Sequence, residues 1–86
     1  MTWNVALTKS ARKELERLPS RDRIYISMAL KEMEQNPHSG DTIQLRHSAY
    51  PAFRRRVGNY RIFFDLASDQ RFVIVSGIKR RTSTTY

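Results

Sequence analysis

No cysteine occurs among the 86 residues, which excludes disulfide stapling, thiol catalysis and cysteine-ligated zinc and fits a reducing compartment such as the cytoplasm. No apolar run approaches the roughly 20 residues needed to cross a bilayer, and the N-terminus lacks the charged-then-apolar pattern of a signal peptide. The chain is therefore expected to be soluble, unprocessed and without membrane contact. His38 and His47 have neither ligand spacing nor a cysteine partner, so they read as solvated side chains and no metal is expected. The length suits a single domain over residues 1–86 with one modest core, too small for a cofactor cleft between two lobes, and no cofactor is expected.

Acidic residues are scarce where basic ones are dense. The formal charge is +8, and the excess belongs to the second half. There only Asp65 and Asp69 oppose Arg46, Arg54, Arg55, Arg56, Arg61, Arg71, Lys79, Arg80 and Arg81. Arginine in such numbers suits planar, bidentate phosphate contacts and base stacking better than lysine does, which puts nucleic acid first among partners.

Hydrophobic spacing orders the chain as β-α-α-β-β-β-β. Trp3, Val5 and Leu7 alternate as a strand over 2–7, and Trp3 therefore reads as core. Thr8 or Ser10 can cap a helix with Ala11, Leu15 and Leu18 on one face, ended by Pro19. Ser20 starts a second helix whose inner stripe is Ile26, Ala29, Leu30 and Met33, closed by Asn36-Pro37. A short strand over 42–46 follows, with Ile43 and Leu45 pointing one way, and Tyr50-Pro51 reads as loop. Arg71 to Ile78 contains Phe72, Val73, Ile74 and Val75, apolar on both faces and so central in a sheet. Two helices on one face of a mostly antiparallel sheet make an α+β fold with the opposite face open.

Gly58-Asn59 is a two-residue, glycine-first loop suited to a type II′ turn, which sets Val57 opposite Tyr60, Arg56 opposite Arg61, Arg55 opposite Ile62 and Arg54 opposite Phe63. Alternation then sends Arg54, Arg56, Arg61 and Phe63 to one face and Phe53, Val57, Tyr60, Ile62 and Phe64 to the other, joined only by Arg55. Arg55 is expected to snorkel or to pair with a helix. Directly opposed like charges destabilise a sheet unless an anion bridges them, and a phosphate is the obvious anion.

With the helical hairpin ending in Asn36-Pro37, with Gly40-Asp41, and with Arg56-Val57-Gly58-Asn59-Tyr60-Arg61-Ile62 and Lys79-Arg80 followed by Tyr86, the chain resembles the RelE/ParE toxin superfamily over essentially its whole length. The Lys79-Arg80 to Tyr86 spacing is most similar to RelE-type mRNA endonucleases. The resemblance implies a RelE-like fold and a ribosome-dependent, metal-independent endoribonuclease that cuts mRNA in the decoding site by 2′-hydroxyl attack on the adjacent phosphorus. It also implies a RelB-like antitoxin partner. Carried over by position, Arg61 and Arg80 hold the scissile phosphate and leaving group, Tyr86 stacks on a base beside the cut, and Arg56 joins them in the catalytic set. Arg54, Arg46, Lys79 and Arg81 are expected to contact RNA. Arg54 and Arg56 stand where well-studied members carry lysines, and a guanidinium stays protonated, so neither is suited to serve as a general base. Two other functions fit the same resemblance: a ParE-like poison of DNA gyrase, or a non-catalytic RNA-binding member. The endonuclease reading requires Arg54, Arg56, Arg61 and Arg80 to converge on one anion.

Overall fold

Thr8 caps the first helix as its position suggests, its Oγ1 accepting the Ala11 amide at 3.1 Å. The computed structural model describes residues 2–46 and 50–81. Its elements run β1 (Asn4–Leu7), α1 (Lys9–Glu16), α2 (Ser20–Gln35), β2 (Asp41–Gln44), β3 (Phe53–Val57), β4 (Tyr60–Ala67) and β5 (Phe72–Arg80). The five strands form one sheet in the order β1-β5-β4-β3-β2. Only β1 and β5 are parallel; the other pairs are antiparallel. The architecture is the expected α+β arrangement, with β5 inside the sheet as its doubly apolar sequence requires.

The stripe read from α2 is the one that packs. Ile26, Ala29, Leu30 and Met33 are buried together with Ala11, Ile62, Phe64, Val73, Val75 and Ile78. Each fully buried large side chain contributes about 1.5–3 kcal/mol relative to its exposed state. Phe64 is extended by Phe53, stacked at 5.4 Å between ring centroids. Trp3 packs against this core as its alternation implies, and the Arg71 guanidinium lies 5.5 Å from the centre of its ring.

Arg55 is the charged residue buried among these apolar groups, at 7% exposure. Its Nη1 donates to Ser39 Oγ at 2.9 Å and to the Ala29 carbonyl at 3.3 Å, and its Nη2 pairs with Glu32. A buried guanidinium is tolerable only with such partners, and these tie β3 to α2. Gly40 makes room for the head group: it has φ +66°, and a Cβ there would lie 2.7 Å from Arg55 Nη2.

Element limits depart from the expected ones at several ends: α1 stops at Glu16, so Leu18 falls outside it. β1 begins at Asn4, β2 covers Asp41–Gln44 rather than 42–46, and β5 continues through Arg80. The last difference matters most, because β5 also carries a bulge. Phe64 pairs with Val75 but Phe63 pairs with Gly77, which leaves Ser76 unopposed. One extra residue reverses the alternation beyond it.

Candidate functional site

The hairpin forms in the expected register, Val57 to Tyr60, Arg56 to Arg61, Arg55 to Ile62 and Arg54 to Phe63. Gly58 adopts φ +57° at the first turn position, as a glycine-first turn demands. Arg54, Arg56, Arg61 and Phe63 consequently share the face away from the helices, while Tyr60, Ile62 and Phe64 are buried on the other.

Neighbouring strands extend this face into a row of charge. Asp41 on β2 opposes Arg56, Arg56 opposes Arg61, and Arg61 opposes Lys79 on β5. Acids flank the row at both ends. Arg56 Nε lies 3.8 Å from Asp41 Oδ2, an exposed contact of small energetic weight. Lys79 pairs with Glu14 on α1, whose second carboxylate oxygen accepts the Ile78 amide at 2.9 Å. Glu14 thereby occupies the part of the β5 edge that β1, ending at Leu7, leaves uncovered. Burial works against its charge, but the Lys79 hydrogen bond, the Ile78 amide and the nearby Arg17 outweigh it and hold its carboxyl below the ordinary 4.5. The middle of the row has no acid. Arg61 has no ion-pair partner among the described residues, and its Nε, like that of Arg54, is buried without a hydrogen bond. An anion between Arg56 and Arg61 would relieve their repulsion.

Arg80 does not join them. Because the bulge reverses the alternation, Arg80 opposes Tyr60 on the helix-side face, and Lys79 takes the place beside Arg61. There Arg80 lines a cavity with Asp22, Tyr25, Asn59 and Tyr60. The expected convergence of Arg80 with Arg54, Arg56 and Arg61 on a single anion is thus corrected. Tyr60 donates its hydroxyl to Asp22 Oδ2 at 2.7 Å. That bond, burial and the Asp22 charge raise its pKa above 10.0, against a smaller opposing effect of Arg80.

Arg81 remains near the hairpin, its amide bonded to the Asn59 carbonyl. Arg46 lies beyond the Gln44 end of β2, whereas Arg56 and Arg61 adjoin the Asp41 end, so it is remote from the row. Tyr86 and His47 lie outside the described residues. His38 is exposed, with its ring edge-on to Phe53 at 5.5 Å between centroids. Among the described residues no cluster of three or more His, Cys, Asp or Glu could hold a metal, and no helix is long and apolar enough to cross a membrane.

A family model described as the ParE toxin of type II toxin-antitoxin systems, parDE, matches residues 5–83. The chain belongs to this toxin family. Its fold is similar to that of RelE toxins: the Mycobacterium tuberculosis RelBE2 complex matches at TM-score 0.84 and 22% identity, over 94% of this chain and 100% of that one. The archaeal RelE-RelB complex from Pyrococcus horikoshii OT3 matches at 0.82 and 23%, over 98% and 100%. The isolated Escherichia coli RelE toxin matches at 0.81 and 18%, over 95% and 87%. No curated protein matches the chain significantly. The toxin is therefore a RelE/ParE superfamily member with a RelE-like fold.

Asp41, Glu14 and Asp22 escaped the sequence reading as site neighbours. Each is an ordinary surface acid until pairing sets Asp41 beside Arg56, α1 sets Glu14 beside Lys79, and α2 sets Asp22 against Tyr60. The one available signal was that an acid opposite a crowded cation is favoured.

Proposed function

We propose that this toxin is a ribosome-dependent endoribonuclease that cuts mRNA in the A site and so inhibits translation in the cytoplasm, with a RelB-like antitoxin as its neutralising partner. The 2′-hydroxyl gives up its proton to solvent as its oxygen attacks the adjacent phosphorus and forms a 2′,3′-cyclic phosphate, while the bond to the 5′-oxygen breaks and that oxygen takes a proton from solvent and leaves as a hydroxyl. The observation that carries the reading is the directly opposed pair Arg56 and Arg61, with Arg54 and Lys79 on the same face. Fixed cations serve where negative charge develops on the phosphorane oxygens. They move no protons, because a guanidinium stays charged. Orientation of the reacting atoms is left to the ribosome, which lets a small protein act as a nuclease. In this scheme Arg56 and Arg61 hold the scissile phosphate, and Arg54, Lys79, Arg81 and the more distant Arg46 contact RNA. Tyr86 keeps its assigned role toward a flanking base, whereas Arg80, turned to the helix side of the hairpin tip, has no part at the scissile phosphate, and Lys79 takes its place beside Arg61.

A gyrase-directed poison is the second reading, favoured by the family model and by the separation of Arg80 from the open-face row. Mapping mRNA ends on programmed 70S ribosomes separates the two. The nuclease reading expects A-site cuts that fall about 100-fold or more in Arg61→Ala and in Arg56→Ala, the scale of losing one charge-stabilising contact. Intact mRNA with toxin-dependent gyrase cleavage complexes would replace it with the second reading.

A further inference from the structure

The cavity beside Arg80 is separate from the open-face row and holds a different set of groups. It measures about 330 Å³, within the ~300–1,000 Å³ range of ligand pockets. Its walls are the Tyr25 and Tyr60 rings with Ile26 and Val57. Tyr25 is 58% exposed, so much of its ring presents a flat surface to solvent on the second turn of α2. The polar groups are few and of distinct kinds: the Asp22 carboxylate, the Asn59 amide and the Arg80 guanidinium. Asp22 is fixed by the Tyr60 hydroxyl on Oδ2. That is the one hydrogen bond its carboxylate accepts among the described residues, so Oδ1 is left to accept from a ligand. Arg80 is exposed and has no ion-pair partner among the described residues.

We infer that this cavity is a nucleobase subsite: a base stacks on Tyr25, its amino or imino edge donates to Asp22, and Arg80 binds the phosphate of the same nucleotide. An aromatic platform, a carboxylate acceptor and an unpaired arginine are what an unstacked nucleotide offers contacts for. The route between the two faces is the hairpin tip. Gly58 has no side chain, and the position where a Cβ would stand meets nothing within 4 Å, so a single strand can cross there with one phosphate at Arg56 and Arg61 and the next nucleotide in the cavity. This assignment accounts for an arginine turned away from the row, and it rests on RNA being the ligand of this toxin.

The test is titration of the full-length toxin at low salt with a single-stranded RNA trinucleotide and with the same trinucleotide lacking its last base, followed by backbone amide NMR shifts. The base-bearing RNA is expected to bind about tenfold tighter, the scale of one base-aromatic stack, and to move the amides of Asp22, Tyr25, Gly58 and Asn59. Tyr25→Ala should abolish that advantage while leaving abasic binding unchanged, and Tyr25→Phe should keep it. Equal binding of the two RNAs, shifts confined to β3 and β4, or displacement at these amides by an acidic-apolar peptide but not by RNA would each overturn the subsite. Ribosomal cleavage is measured apart from this. Cuts without base-dependent binding sink only the subsite, and base-dependent binding without cuts sinks only the nuclease reading.

Discussion

Val75 and Ile78, three residues apart on one strand, are both buried against the helices. Regular alternation would have put Ile78 on the open face. The unopposed Ser76 between them resets the period, so that Gly77 and Lys79 face outward with Arg61 while Arg80 faces the helix side with Tyr60. Since the chain has no native cysteine, this can be read by cross-linking. Arg61→Cys with Lys79→Cys should join under a short bifunctional thiol reagent, and Arg61→Cys with Arg80→Cys should not. Equal yields from both pairs would remove the bulge from the account.

Opposed arginines cost stability when no anion lies between them. Arg61→Thr should therefore raise the stability of the free toxin by about 0.5 kcal/mol, within the usual range of a cross-strand pair. The same change should lower the slope of log affinity for single-stranded RNA against log salt by about one contact. Urea unfolding and a salt titration check the two halves, and a destabilised variant would show that the pair is already neutralised.

Gly40 is constrained twice, by φ +66° and by the approach of Arg55 Nη2 at 2.7 Å from a would-be Cβ. Gly40→Ala should cost about 1–3 kcal/mol through backbone strain and displacement of the Arg55 head group. Gly58→Ala should cost less, because its would-be Cβ meets no neighbour and only its φ +57° is unfavourable. Equal losses at both positions in denaturant unfolding would count against the Gly40-Arg55 contact.

Glu14 links stability to acid. Its folded pKa is held below the ordinary 4.5, so its contribution is present at neutral pH, above the unfolded value. It is lost as pH falls below about 4.5 and through the folded pKa. Glu14→Gln should lower stability at pH 7 by about 1 kcal/mol, since the Ile78 amide and Lys79 lose a charged acceptor. The difference from the parent should shrink toward pH 3. A constant difference across that window would assign the effect to packing.

Tyr60→Phe removes the donor to Asp22 and should cost about 1 kcal/mol. Because folding raises the Tyr60 pKa above 10.0, the parent's advantage is full below that value and fades as pH rises through the folded pKa. Unfolding measured at pH 8 and pH 11 distinguishes this from simple loss of burial.

Local patterns in the chain settled the elements, the hairpin register and the face of every hairpin residue, because helix period, strand alternation and a glycine-first turn act over a few residues each. The apolar stripe of α2 and the inward turn of Arg55 followed from the same short-range rules. Where Arg80 would point could not be derived that way. It depends on a single unpaired residue in β5, Ser76, chosen by how Ile78 packs under the helices while Gly77 leaves space against Phe63; a glycine inside a strand is compatible with a bulge, but alternation alone does not say that one forms there. The acids that bracket the cation row were equally beyond reach, since Glu14 is separated from Lys79 by |i−j| = 65 and only the folded sheet brings the edge of β5 to α1. Sequence fixed which charges the toxin carries; long-range packing decided which of them stand together.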